Sequence, residues 1–367
     1  MSKIKVAELF YSIQGEGRYM GVPSVFLRTF GCNFTCSGFG MPKGQCSTEA
    51  DKIAERVDEF KFYHELPLTT TGCDSYASWD PRFKHLSPLL STDAIADAIV
   101  DTLPHKEWRD EHLVITGGEP LLDKNTYKVF DYVLALPNPE LHLNVTSNFS
   151  VDERSWQRYI NSAEQLCQEG VLEHFMQYVS LDTWGAQAEY LRDPMDFDLV
   201  WDRVNQWLSR LPYRNSLTFI VTMNSLSVTG LDRLLAGILG LRQTYSKTYQ
   251  RVWFDTPVLR TPTWQSLQIL PPVYADYLER VADWMELNLE TEDDPFHGFK
   301  DYEVQRMRRD IDWMKEGSKL NPEYVKLQRG DFYRFFNEHD KRRGTDFLTT
   351  FPEMAEFWKE CRYYAQN

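Results

Sequence analysis

Ser24-Val25-Phe26-Leu27-Arg28-Thr29-Phe30-Gly31-Cys32-Asn33-Phe34-Thr35-Cys36 is the stretch on which the fold turns. Residues 24–30 form an apolar run that reads as a buried strand, and it ends in a loop holding two cysteines with three residues between them. Outward from it, similar runs follow at 113–116 (LVIT), 141–146 (LHLNVT), 178–181, 217–222 (LTFIVT) and 252–258 (VWFDTPV). Between them the pattern reads as helical at 92–103, 126–136, 152–168, 197–211 and 231–244. Strands alternating with helices predict an α/β fold with a parallel sheet and crossover helices. Right-handed crossovers curl such a sheet into a full or partial barrel whose functional loops lie at the carboxyl ends of the strands.

Two segments break the rhythm. Residues 37–72 are an insertion whose middle, 48–60, reads as a charged amphipathic helix capped by Thr48. After about Pro271 the strands stop, and 274–289, 301–315 and 322–338 read as helices. The expected organisation is a barrel over 1–270, interrupted by the insertion 37–72, and a helical C-terminal extension over 271–367.

Composition bounds the function. A chain of 367 residues is long enough for a sizeable core. The net charge of −14 argues against a protein that coats nucleic acid by neutralising phosphates, so no direct nucleic-acid partner is expected. The amino-terminal residues hold no long apolar run, and no stretch downstream is apolar enough to span a bilayer, so no membrane association is expected. Six cysteines are too few for a disulfide scaffold at this length and suggest a reducing, cytoplasmic setting with thiols free to bind metal.

Cys32 and Cys36 sit where a barrel places its chemistry. Thiolate is the ligand that iron–sulfur clusters prefer, and a [4Fe–4S] cube held by three protein thiolates leaves one iron open. An open iron suits a chelating amino acid such as S-adenosylmethionine, whose reductive cleavage is cofactor chemistry. The usual third cysteine of a C-x3-C-x2-C site falls at position 39, which is Phe39. Cys46 and Cys73 are the candidates, and the small entropic cost of lengthening a loop allows the insertion to loop out and return Cys73. Thr116-Gly117-Gly118-Glu119-Pro120 closes the second strand of the pattern. Its glycines permit close backbone approach to a ligand, and its proline ends the strand.

Together these motifs resemble the radical S-adenosylmethionine superfamily, and within it the 7-carboxy-7-deazaguanine synthases of the 7-deazapurine (queuosine) pathway. The resemblance is carried by Tyr11-Ser12-Ile13-Gln14-Gly15-Glu16-Gly17, by 21–28 (GVPSVFLR), by Gly31-Cys32-Asn33 and by Cys73-Asp74-Ser75-Tyr76-Ala77. The last is similar to the family's Cys-Asp-Thr-x-Tyr-Ala, which places the third cluster ligand at Cys73. The match covers roughly residues 6–182 without the insertion, and it implies a partial (β/α)6 radical-SAM barrel.

By the resemblance, Ile13, Gln14, Gly15, Arg28 and Thr116 bind substrate, Arg28 through a carboxylate. Gly117, Gly118, Glu119, Thr146, Ser147, Asn148, Ser180 and Asp182 bind S-adenosylmethionine. Ser75 stands where the family's threonine binds Mg2+. The implied reaction converts 6-carboxy-5,6,7,8-tetrahydropterin to 7-carboxy-7-deazaguanine. A small-molecule substrate, an electron donor such as flavodoxin or ferredoxin, and a homodimer are the partners it implies.

The chain also departs from the family. Ser180-Leu181-Asp182 replaces its Ser-Pro-Lys, and the tail at 335–346 looks more like larger radical enzymes of phage and bacteria. Two other readings stand beside the synthase. One is a radical enzyme acting on a peptide or protein, an activase or side-chain modifier that docks through the helical tail. The other is a zinc or structural cysteine site, which the lack of a second C-x2-C pair disfavours. The eight histidines show no ligand spacing and are assigned no role.

Overall fold

The structure, a computed structural model, describes residues 3–13, 23–31, 48–69, 76–102, 111–116, 118–211 and 213–366. Gln14, Gly15, Cys32, Cys36, Cys46, Cys73, Ser75 and Gly117 lie outside the described residues. In chain order the elements begin β1 (Lys3–Ile13), β2 (Pro23–Thr29), α1 (Thr48–Ala54), β3 (Leu89–Ser91), α2 (Thr92–Thr102), β4 (Glu111–Thr116), α3 (Lys124–Ala135) and β5 (Asn138–Ser147). They continue with α4 (Glu153–Leu166), β6 (Leu172–Ser180), α5 (Ala186–Leu191), α6 (Phe197–Arg210), β7 (Asn215–Ile220), α7 (Leu231–Tyr245) and β8 (Val252–Asp255). Helices α8 (Pro272–Leu287), α9 (Asp301–Lys315), α10 (Pro322–Arg343), α11 (Phe347–Thr350) and α12 (Ala355–Gln366) complete the chain. Two compact units result: Met1–Ser180 with Leu199–Thr218, and Leu181–Asp198 with Phe219–Asn367.

The first unit is a sheet with strand order β3-β1-β2-β4-β5-β6-β7. Strand β1 pairs antiparallel with both β2 and β3, whereas β2, β4, β5 and β6 run parallel. Leu143, Val145 and Phe175 are fully buried on the face that meets the helices, where Trp156 and Tyr159 of α4 pack with Trp207 of α6. Val114, Asn144 and Met176 are buried on the opposite face. Burial on both faces is the reason these strands read as nearly continuous apolar runs. In the second unit the N–H groups of Val221 and Met223 donate to the carbonyls of Asp255 and Pro257, at 2.9 and 2.7 Å, which brings in β8. The repeating β/α order expected from the sequence is therefore present, with only helices and short turns after Pro271 apart from an isolated Leu289–Phe299 bridge.

Several elements differ from the reading of the sequence. Strand β1 was not foreseen, nor was α12. Strand β6 begins at Leu172, earlier than expected, because Glu173, His174 and Gln177 interrupt its apolar pattern. The helix expected over 48–60 ends at Ala54, and a 3-10 turn follows at Val57–Glu59. The described part of the insertion packs into a small core shared with β1 and with the segment that follows it. Ala50 and Tyr63 pack with Tyr76, Ala77, Phe83 and Leu86 and with Ala7 of β1, while Ile53, Val57 and Phe60 lie against them. Arg82 bridges Asp80 at 2.7 Å and Asp51 at 2.8 Å, tying α1 to the segment after the insertion.

The second unit gathers its helices around aromatic side chains. Phe332, Phe336, Phe347, Phe351 and Phe357 are buried there, and Tyr190 of α5 meets Phe347 and Phe351 edge-on. Arg242 and Glu303, both fully buried, form a two-pronged ion pair with contacts of 2.9 and 2.6 Å. Among the described residues no helix is long and apolar enough to cross a membrane.

Candidate functional site

Gly31, the residue before Cys32, is the junction of three motif-bearing segments. Its N–H donates to the carbonyl of Ser78 at 2.7 Å, five residues beyond Cys73. Its carbonyl accepts the N–H of Glu119 at 3.2 Å. The β2 exit, the segment following the insertion and the Gly-Gly-Glu-Pro turn are thus linked through one peptide. Gly31 holds φ +134° and Gly118 φ +56°, backbone conformations that side chains rarely adopt. Ser78 is fixed in turn by the insertion, since its hydroxyl lies 2.8 Å from that of Tyr63.

Glu119 is the buried acid of the site, only 1% exposed. Its Oε1 accepts the Ser147 hydroxyl at 2.7 Å and the Leu121 N–H at 3.2 Å, and its Oε2 accepts the Asn148 N–H at 3.0 Å. Burial pushes this carboxyl up to about 7, against the three hydrogen bonds, which favour the ionised form. Near neutral pH it is therefore poised between its two states. The β5 end that supplies Ser147 and Asn148 is itself braced. Arg203 donates to the carbonyls of Phe149 and Val151 at 2.6 and 2.7 Å, and Phe149 adopts φ +58°.

Arg28 and Thr116 are direct register partners on β2 and β4. The Arg28 guanidinium pairs with Glu8 of β1 at 3.0 Å and lies over the Tyr63 ring, while its Nε is buried with no hydrogen-bond partner. Thr146 of β5 continues the Arg28–Thr116 row, with Tyr178 of β6 beside it. The structure therefore brings together Arg28, Thr116, Gly118, Glu119, Thr146, Ser147 and Asn148. For Ile13 only the backbone is described, paired with Pro23. Ser180 ends β6. In the second unit Asp182 is held by Arg192 at 2.8 and 2.9 Å and by the Thr222 N–H at 2.9 Å.

Sequence reasoning missed Glu8, Tyr63 and Ser78. Glu8 carried a signal, an acid inside an otherwise apolar strand. The histidines also acquire an arrangement. His112, His142 and His174 are in register on β4, β5 and β6, with ring centroids 4.6 and 6.3 Å apart, and His174 lies 2.6 Å from the Ser216 hydroxyl. Among the described residues no group of three metal-ligating side chains converges.

No family model matches the chain. Curated proteins named 7-carboxy-7-deazaguanine synthase do. That of Halobacterium salinarum is 32% identical over 149 residues, 40% of this chain and 40% of its own. That of Bacteroides thetaiotaomicron is 58% identical over 144 residues, 39% of this chain and 65% of its own. That of Hyperthermus butylicus is 28% identical over 178 residues, 45% of this chain and 68% of its own. The chain spans about two fifths of the first of these relatives. The similarity bears out the resemblance read from the motifs. A solved structure described as QueE from Escherichia coli aligns over 70% of this chain and 85% of its own at 16% identity and a TM-score of 0.35.

Proposed function

We propose that the chain is a radical S-adenosylmethionine enzyme of the 7-carboxy-7-deazaguanine synthase kind, converting 6-carboxy-5,6,7,8-tetrahydropterin to 7-carboxy-7-deazaguanine. The observation that carries this reading is the junction at Gly31, which ties the peptides beside Cys32, after Cys73 and at Glu119 into one hydrogen-bonded knot. The relatives' shared name supports the substrate.

The residues fit the groups the reading requires. Cys32, Cys36 and Cys73 are the donor set that an iron–sulfur cluster takes, and Glu119 offers a buried acid to the ammonium end of an amino-acid ligand. When bound, the cluster supplies the electron that cleaves S-adenosylmethionine. The rest falls to the chain. Gly117, Gly118 and Glu119, with Thr146–Asn148 and Ser180 of the same unit, would hold the methionine and ribose ends. Ser147 and the Asn148 N–H fix the Glu119 carboxylate, so its charge is aimed before the ligand arrives.

Ile13, Gln14, Gly15, Arg28 and Thr116 bind the substrate. Arg28, already neutralised in part by Glu8, keeps its Nε for a second carboxylate. Ser75 would hold a Mg2+ ion through its hydroxyl, supplying a positive charge for the substrate's oxygens. Residues 1–270 carry this chemistry and 271–367 form the helical extension. A flavodoxin- or ferredoxin-like donor supplies electrons in a cytoplasmic setting.

The test is anaerobic incubation of the reconstituted protein with S-adenosylmethionine, dithionite and 6-carboxytetrahydropterin. Formation of 5′-deoxyadenosine together with the deazaguanine product is expected. Deoxyadenosine without product would remove the substrate assignment, and neither would remove the reading.

A further inference from the structure

Parallel strands in register set every second side chain beside its counterpart on the next strand, so the sheet face turned away from the helices is organised in rows. The row level with the strand ends contains Arg28, Thr116, Thr146 and Tyr178. Two residues back along each strand, about 6–7 Å deeper, the row reads Val114, Asn144 and Met176. Asn144 is its one amide. It is 1% exposed, and neither its Nδ2 nor its Oδ1 has a hydrogen-bond partner. Its neighbour offers nothing, because the Met176 sulfur already accepts the Ser216 and Thr218 hydroxyls at 3.3 and 3.1 Å. A buried amide with both ends orphaned is costly, and a fold keeps one only where something else satisfies it.

We propose that Asn144 reads the heterocycle of the substrate, hydrogen-bonding the amide edge of its pyrimidine ring while Arg28, one row nearer the strand ends, holds the carboxylate. This rests on the function proposed above. A side-chain amide sets one donor beside one acceptor, the complement of a ring N–H and C=O pair, and asparagine reads nucleobase edges in the same way. The geometry suits a flat bicyclic molecule. Asn144 on β5 lies two strands from Arg28 on β2, about 10 Å across the sheet, and a carboxylate at one end with an amide edge at the other bridges that span once the arginine's reach is added.

Asn144→Leu is the decisive change, because it keeps the branched shape and the number of heavy atoms and removes the orphaned polar pair. A merely structural asparagine predicts a variant as stable as the parent, or more so, with unchanged kinetics. The proposal predicts the same thermal stability and iron content with kcat/KM for 6-carboxytetrahydropterin lowered about 10- to 100-fold, chiefly through KM. KM for S-adenosylmethionine should stay unchanged. Asn144→Asp, which keeps the shape and replaces the Nδ2 donor, covers the case in which the leucine variant fails to fold, and it should raise the same KM. Parent turnover with both foldable variants at parental KM overturns this proposal alone. A parent that cleaves S-adenosylmethionine but makes no product removes the substrate assignment beneath this proposal, and the proposal with it.

Discussion

Glu119→Gln tests the electrostatics of the site through stability, without any assumption about substrate. The folded carboxyl is raised from 4.5 to about 7, with burial as the cause. A group whose folded value lies above its unfolded value adds stability that is complete below the unfolded value and is lost as pH rises through the folded one. Between pH 4.5 and 7 the native chain holds a proton that the unfolded chain has released. The shift corresponds to about 3 kcal/mol over that window, so the wild-type protein loses this contribution by about pH 8.

Glutamine has nothing to titrate, and it meets three donors that all expect an acceptor. Whichever way the amide is turned, its NH2 faces at least one of them, at a cost of about 1–3 kcal/mol. At pH 5 the variant should therefore be less stable than the wild type. At pH 8, where the wild type carries a buried charge, the two should meet or cross. Urea midpoints followed by tryptophan fluorescence at pH 5, 6, 7 and 8 measure this, and taking the difference between the proteins cancels every other titrating group. A constant offset across the series would mean that Glu119 does not titrate in this window, and the argument from burial would be lost.

Three further outcomes concern the cysteines and two buried polar clusters. Cys73→Ala should abolish iron incorporation on anaerobic reconstitution while Cys46→Ala retains it, and full iron in the former would sink the ligand assignment. In the second unit, Glu303→Leu leaves the buried Arg242 guanidinium without its carboxylate and should cost about 3–5 kcal/mol in a urea melt. Adding Arg242→Met should recover most of that loss, which a packing defect alone would not allow. Asp340 accepts the Tyr190 hydroxyl at 2.8 Å, the Thr345 hydroxyl at 2.7 Å and the Phe347 N–H at 2.9 Å. Asp340→Asn turns a donor toward these donors and should lower the melting midpoint by the equivalent of about 1–3 kcal/mol, whereas Tyr190→Phe, which removes only one of the three, should cost less.

What the sequence made legible, and what it hid, both follow from register. Periodicity announced that residues 24–30, 113–116 and 141–146 are strands and which side chains share a face, because that information is local. It could not say that Arg28 stands beside Thr116, or that Glu8 stands beside Arg28, because the register between two strands is not written in either strand alone. The motifs at Gly31 and Glu119 were readable because chemistry demanded unusual residues in short runs, a glycine at positive φ or an acid after two glycines. Ser78 and Tyr63 were not, since a tyrosine inside the insertion and a serine just after it carry no local oddity until the fold joins their hydroxyls and sets the Ser78 carbonyl against the Gly31 N–H. The three histidines fall one to a β/α repeat, too far apart to look related, and the sheet lines them up all the same. Asn144 is the sharpest case. Within LHLNVT it reads as one polar residue in a strand, and only the combination of its row, its burial and its missing partners turns it into a candidate reader of the substrate. In a largely parallel sheet, then, a contiguous motif is legible in the sequence, while a row of side chains assembled one per strand becomes legible only once the register is known.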